Sequence, residues 1–255
     1  MTVFETDVAL PRNAFGPRDT ARAADLWRAA QDVAVAASTD RGWPPSRYRD
    51  TSTAFVVRAG VGIHHREVRF GEPLHARSWV SDFRRDTFSA RQVQVFGTHG
   101  LIFDVLQEWV HVQMPDGRMC RASPELRASF EVARLEPLPE LPETQLDPVP
   151  DEGFKHTVFH VAMDPLGHVN HPATLDLAEE CVARWFVARG GDPQAVEALG
   201  ERIVWKLPIH AEPIHVVVVG HRDGVFAVEV RLADGRVAAD VVLHRRLIAH
   251  STPSG

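Results

Sequence analysis

Hydrophobic and polar positions follow two alternating patterns along the chain. Residues 3–10, VFETDVAL, read as a strand. Leu26, Trp27, Ala30 and Val33 then recur at helical spacing in an alanine-rich stretch running from a cap at Asp19 or Thr20 to about Ser38. Gly42, Pro44 and Pro45 break that helix. Strand patterns follow at 55–63, continued or restarted at 67–70, then at 74–83, 88–96 and 101–114. The alternation around Val93 and Val95 is that of a half-buried strand.

The second half repeats this order. It begins with a strand at 154–163 and a helix from about 172 to 188, ended by Gly190-Gly191-Asp192-Pro193. A short amphipathic piece at 194–199 leads to strands at 202–209, 214–219, 225–232 and 236–247. The repeat also shows in the residues themselves. Glu72-Pro73-Leu74-His75 and Glu212-Pro213-Ile214-His215 each open a strand at an offset of 140 (212 − 72), and Phe88 and Phe226 lie at 138 (226 − 88). Between the halves, residues 131–152 hold Pro137, Pro139, Pro142, Pro148 and Pro150 among acidic residues and read as a semi-extended linker. The expected organisation is an N-terminal unit at 1–130, this linker, and a C-terminal unit at 153–250.

Composition narrows the class. Hydrophobic residues make up 44% and charged residues 24% of the 255, ordinary for a globular protein, and no run suits a membrane helix. MTVFETDVAL lacks the basic segment and apolar core of a secretory signal. With only two cysteines, Cys120 and Cys181, a disulfide framework is not expected and a reducing cytoplasm is. No Cys/His spacing suits zinc, so neither metal nor cofactor is expected. A net charge of −6 argues against broad nucleic-acid binding. Arg84-Arg85 and Arg245-Arg246 read as solvated pairs, and His64-His65 as structural histidines.

Chemistry concentrates at Asp164-Pro165-Leu166-Gly167-His168-Val169-Asn170-His171. A carboxylate, an imidazole and a carboxamide fall within seven residues, just before a helix N-terminus whose dipole favours negative charge. Reactions that build charge on an oxygen, such as attack on a thioester carbonyl, gain from that placement. Asp164 can attack or activate water, and His168 can act as base or donate to oxygen or sulfur. Asn170 can orient the substrate or simply cap the helix, and Gly167 permits close approach or positive φ. On the helix, Leu175, Ala178, Cys181, Val182, Trp185 and Phe186 form an apolar face. Glu179 lies at its edge, where partial burial would suit a general base, whereas Glu180 points away. Cys181 reads as packing, and Trp185 and Trp205 as core or pocket wall.

The run D-x-x-G-H-V-N ahead of a helix bearing Glu179 and Glu180 resembles the signature of hotdog-fold acyl-thioester hydrolases, of the 4-hydroxybenzoyl-CoA thioesterase and acyl-carrier-protein thioesterase types. Three positions depart from the family: His171 replaces a second Asn, Thr174 a frequent Tyr, and Leu166 an Asn of the plant carrier-protein enzymes. The resemblance implies an α+β double hotdog, each unit an antiparallel sheet wrapped around one long helix. It implies hydrolysis of an acyl-CoA or acyl-carrier-protein thioester, with Asp164, His168, Asn170 and Glu179 catalytic and Gly167, Val169, His171 and Thr174 contacting substrate. It leaves room for a homodimer of double hotdogs. Addition of water to an unsaturated acyl thioester, by a hotdog hydratase or dehydratase, is the alternative, although the hydratase pattern G-D-x-N-P-x-H is absent. A binding module with degenerate chemistry is the third class. The matching first-half loop at 15–22 has neither His nor Asn, and its helix offers Gln31 and Asp32, so chemistry is expected only in the second half.

Overall fold

The computed structural model describes residues 3–114 and 116–248. They fall into two compact units, Met1–Glu140 and Leu141–Gly255. The first contains β1 (Phe4–Val8), α1 (Ala23–Asp40), α2 (Pro45–Asp50), β2 (Thr53–His64), β3 (Leu74–Arg84), β4 (Phe88–Gly97), β5 (Gly100–Gln113) and α3 (Pro124–Ser129). The second contains β6 (Asp147–Thr157), α4 (His171–Ala188), β7 (Val196–Trp205), β8 (Pro213–Arg222), β9 (Val225–Leu232) and β10 (Val237–Leu247).

The two sheets share one topology. In the first unit the strands lie in the order β1-β3-β4-β5-β2, and in the second β6-β8-β9-β10-β7. Every pairing within them is antiparallel. The sequence repeat falls at equivalent places: Leu74 opens β3 and Ile214 lies at the start of β8, both buried, while Phe88 opens β4 and Phe226 lies at the start of β9. One long helix packs on each sheet, α1 on β1, β3, β4 and β5, and α4 on β6, β8, β9 and β10. The helical spacing sets the buried face. Leu26, Trp27, Ala30 and Val33 are buried in α1, and Leu175, Ala178, Cys181 and Val182 in α4.

The first helix presses Trp27 directly against the backbone of β2. Trp27 is fully buried, and a Cβ on Gly60 of β2 would lie 2.8 Å from its ring. A Cβ on Gly62 would lie 2.8 Å from the Phe103 ring and 3.0 Å from that of Trp27. Two missing side chains on β2 thus make room for an indole.

Local differences from the sequence expectations have local causes. Residues 67–70 form no strand; Arg69 makes only an isolated bridge to Thr20. The expected strand at 154–163 is displaced upstream. β6 starts at Asp147, inside the proline-rich stretch, and residues 160–162 form a 3-10 turn. Proline is tolerated because β6 ends its sheet order, and the pairing with β8 shifts register between Pro148 and Glu152. Residues 194–199 divide between a 3-10 turn and β7. The short helices α2 and α3 were not expected. Pro45 suits a first helical turn, and the Ser123 hydroxyl caps α3 by accepting from Leu126 N–H at 3.1 Å. Trp43, Val80, Ala122, Leu126 and Phe130 form a small buried cluster beside them.

The close approach of Trp27 is testable. Gly60→Ala places a methyl against the indole and the Leu106 carbonyl, and should cost about 1–3 kcal/mol in urea unfolding, the range for overpacking. Unchanged stability would show that the helix and sheet can part to admit the methyl.

Candidate active site

The motif loop is built by backbone bonds. Met163 and Val169 form an isolated bridge. Within it, Asp164 N–H donates to the His168 carbonyl at 2.7 Å and Gly167 N–H to the Asp164 carbonyl at 3.0 Å. Gly167 takes φ +78°, the left-handed region that glycine enters without strain. Two further bonds anchor the loop: Val169 N–H donates to the Ile209 carbonyl at 2.8 Å, and Asn170 N–H to the Ala162 carbonyl at 2.9 Å. Asn170 is the N-cap of α4, with φ −56° and ψ 130°, and its side chain makes no cap bond.

Most of the expected site residues gather at this loop and the first turn of α4. Asp164 Oδ1 accepts from Leu166 N–H at 2.8 Å and from His168 N–H at 3.2 Å. That is the turn-capping role a bland reading would give it, yet Oδ2 accepts no bond among the described residues. The His168 imidazole donates and accepts none either; its neighbour is the His210 ring, edge-on with centroids 5.1 Å apart. Asn170 Oδ1 is buried and accepts no hydrogen bond among the described residues. Leaving a buried acceptor unmet costs about 1–3 kcal/mol, so this oxygen favours any donor that reaches it. Val169 is buried, and Thr174 is 1% exposed. Thr174 Oγ1 accepts from the Trp205 indole N–H at 3.2 Å, and the His171 ring meets Trp205 edge-on at 5.2 Å. Trp205 of β7 therefore walls the start of α4.

Two contributors were not expected as site residues. Trp205 was legible only as core or wall. His210 was not singled out, although its neighbour Ile209 binds the loop; its Nδ1 lies 3.1 Å from the Gly167 carbonyl.

Glu179 is elsewhere. It lies nine residues past Asn170, about 13 Å along the axis at the ordinary helical rise. Its carboxylate accepts from Arg245 Nη2 at 3.0 Å, while Arg245 Nη1 donates to Glu201 at 2.7 Å. Arg245 is not a solvated residue: it is 8% exposed, and Glu201 is fully buried. The three charges clamp α4 to β7 and β10. Cys181 packs as expected; burial pushes its thiol up to about 11, and the thiol donates to the Val216 carbonyl at 3.4 Å.

The first unit contains the same loop with different side chains. Phe15 and Ala21 form the matching bridge, at a spacing of 148 (163 − 15). Gly16 N–H donates to the Thr20 carbonyl and Asp19 N–H to the Gly16 carbonyl, each at 2.9 Å. Ala21 N–H donates to the Val68 carbonyl at 3.0 Å and Arg22 N–H to the Ala14 carbonyl at 2.9 Å. Side chains differ at the three expected catalytic positions of the loop: Gly16 stands in the place of Asp164, Thr20 of His168 and Arg22 of Asn170. Asp19 occupies the place of Gly167, at φ +58°, and pairs with Arg12 at 2.9 Å. The acid of this loop thus holds a turn and does not cap α1.

No family model and no curated protein sequence matches the chain. Solved structures do. A protein described as an oleoyl thioesterase from Lactobacillus plantarum aligns with a TM-score of 0.81 at 14% identity, covering 97% of each chain. A 12:0-ACP thioesterase from Umbellularia californica aligns at 0.77 and 13%, covering 97% of this chain and 98% of its own. An acyl-ACP thioesterase from Bacteroides thetaiotaomicron aligns at 0.76 and 14%, with 96% and 98% covered. At such identities the likeness is one of fold, and the fold is the double hotdog. Among the described residues no helix is long and apolar enough to cross a membrane.

The Glu179 clamp separates two roles. Glu179→Gln leaves Glu201 as the carboxylate on Arg245 among the described residues and should lower unfolding stability by about 1–3 kcal/mol, short of the full cost of breaking a buried pair. Turnover of an acyl thioester should survive. Loss of turnover with unchanged stability would return Glu179 to the chemistry.

Proposed function

We propose that this protein hydrolyses an acyl thioester at the loop Asp164–Asn170, with acyl-CoA and acyl-carrier-protein thioesters as the substrate class. The carrying observation is an open carboxylate oxygen, a hydrogen-bond-free imidazole and an unmet buried carboxamide oxygen on one loop at the start of α4. The full-length fold likeness to proteins described as acyl-ACP thioesterases supports the same class.

Each group has a part. The Asp164 carboxylate is fixed by its two backbone bonds and acts through Oδ2, attacking the carbonyl carbon or drawing a proton from water. His168 donates to the thioester oxygen or to the departing sulfur. Asn170 Oδ1 accepts only, and a thioester's reacting centre offers no donor, so its natural partner is the attacking water. Charge developing on the carbonyl oxygen lies close to the positive end of the α4 dipole. Gly167 and Val169 form the loop surface, and His171 and Thr174 with Trp205 form the wall against which the acyl group rests. Glu179 holds the helix rather than the proton. The first unit serves as scaffold.

Thiol release from a ladder of acyl-CoA lengths and one acyl-carrier-protein thioester tests the activity. Loss of enoyl absorbance without thiol release would replace hydrolysis by addition. Asp164→Asn keeps an oxygen for both backbone bonds and removes the charge. It should cut turnover roughly a hundredfold or more while leaving the melting temperature almost unmoved. His168→Ala should lose most activity and Asp19→Asn should keep it. The reverse order, in folded variants, would move the site to the first unit.

A further inference from the structure

The geometry points to His210 as a second catalytic imidazole of this loop, the general base whose Nε2 takes the proton from the attacking water. The inference rests on the hydrolase reading above and decides its nucleophile.

His210 is fastened to the motif loop on both sides of its peptide. The preceding carbonyl, of Ile209, accepts from Val169 N–H at 2.8 Å, and its own Nδ1 lies 3.1 Å from the Gly167 carbonyl. A carbonyl oxygen only accepts, so the proton of that bond belongs to Nδ1. In the neutral ring Nε2 then carries the lone pair. The tautomer is set by the backbone, in the form that presents a base. The residue is exposed, so water reaches the ring, and the His168 ring stands edge-on to it with centroids 5.1 Å apart. His168 has no comparable bond to fix its tautomer.

The first unit supplies a comparison within the same chain. There the equivalent contact is the isolated bridge between Thr20 and Arg69, beside the Ala21–Val68 bond that matches Val169–Ile209. The backbone arrangement needs no histidine at either position. At the equivalent positions the first unit has Thr20 and Arg69, whereas His168 and His210 stand in the unit that also carries Asp164 and Asn170.

Hydrolysis proceeds as follows in these terms. Water oxygen bonds to the acyl carbon as its proton passes to His210 Nε2. The carbonyl π pair moves to oxygen, which accepts a hydrogen bond from His168. When the carbonyl re-forms, the C–S bond breaks with its pair on sulfur, and the proton on His210 passes to that sulfur. The products are the carboxylic acid and the free thiol, with no further reactant. Water is then the nucleophile, His210 takes the proton otherwise drawn by Asp164, and the Asp164 carboxylate supplies negative charge toward the transient imidazolium in place of attacking or deprotonating.

The test uses His210→Asn and His210→Gly in the full chain, with thiol release from acyl-CoA as the assay. Asparagine places its amide N–H where Nδ1 donates, so it preserves the bond to Gly167 and removes only Nε2. Turnover of His210→Asn should fall about a hundredfold with KM little changed, in the range of a lost general base. Free imidazole in the assay should restore part of the turnover of His210→Gly. Wild-type turnover in His210→Asn, or a folded His210→Gly that imidazole leaves inactive, would reduce His210 to a positioning residue and overturn the inference. In either of those outcomes the wild-type chain still releases thiol and His168→Ala does not. A wild-type chain that releases no thiol from any thioester would instead remove the hydrolase reading itself.

Discussion

The site depends on a set of main-chain hydrogen bonds that tie a seven-residue loop to its neighbours. Four N–H groups, of Asp164, Gly167, Val169 and Asn170, donate to carbonyls within the loop, on the turn before it and on the segment after β7. None of these bonds requires a particular side chain, except that one position must tolerate positive φ. The first unit makes the corresponding four with different residues. A loop held this way can exchange its side chains without losing its shape. Such exchange is what separates Asp164, His168 and Asn170 of the second unit from Gly16, Thr20 and Arg22 of the first.

Where the loop frees its side chains, the helix behind it is held by charge. Arg245 is buried and shared between Glu179 and Glu201, so α4 is linked to two strands through one guanidinium. An arrangement of this kind is costly to form and more costly to leave incomplete. It belongs under a helix whose N-terminus must stay in register with the loop that precedes it.

Much of this was legible in the sequence, and the gaps have physical causes. Periodicity located both long helices and most strands, because burial of one face is a local pattern. The repeat at 138 and 140 residues revealed the shared topology. The motif loop was legible because its working groups are neighbours in sequence. The ion pair of Glu179 was not legible because its partner Arg245 lies 66 residues away, and helical geometry alone cannot distinguish a half-buried base from a half-buried ion pair. His210 was missed for the same reason, its contact with Gly167 spanning 43 residues. The start of β6 was hidden because prolines at the end of a sheet resemble prolines in a linker. Asp19 read as a helix cap, whereas α1 begins at Ala23 and Asp19 sits in the turn before it, at the place of Gly167.

Gly167 carries a consequence beyond conformation. Its backbone conformation, at a positive φ, brings its carbonyl to 3.1 Å from His210 Nδ1 as the acceptor for that N–H. The location of a proton on an imidazole 43 residues away is thus decided by the one residue of the loop that has no side chain. A glycine usually regarded as a spacer acts here as a selector between two isomers of another residue's ring. Acid–base character in this loop is inherited partly from the path of the main chain.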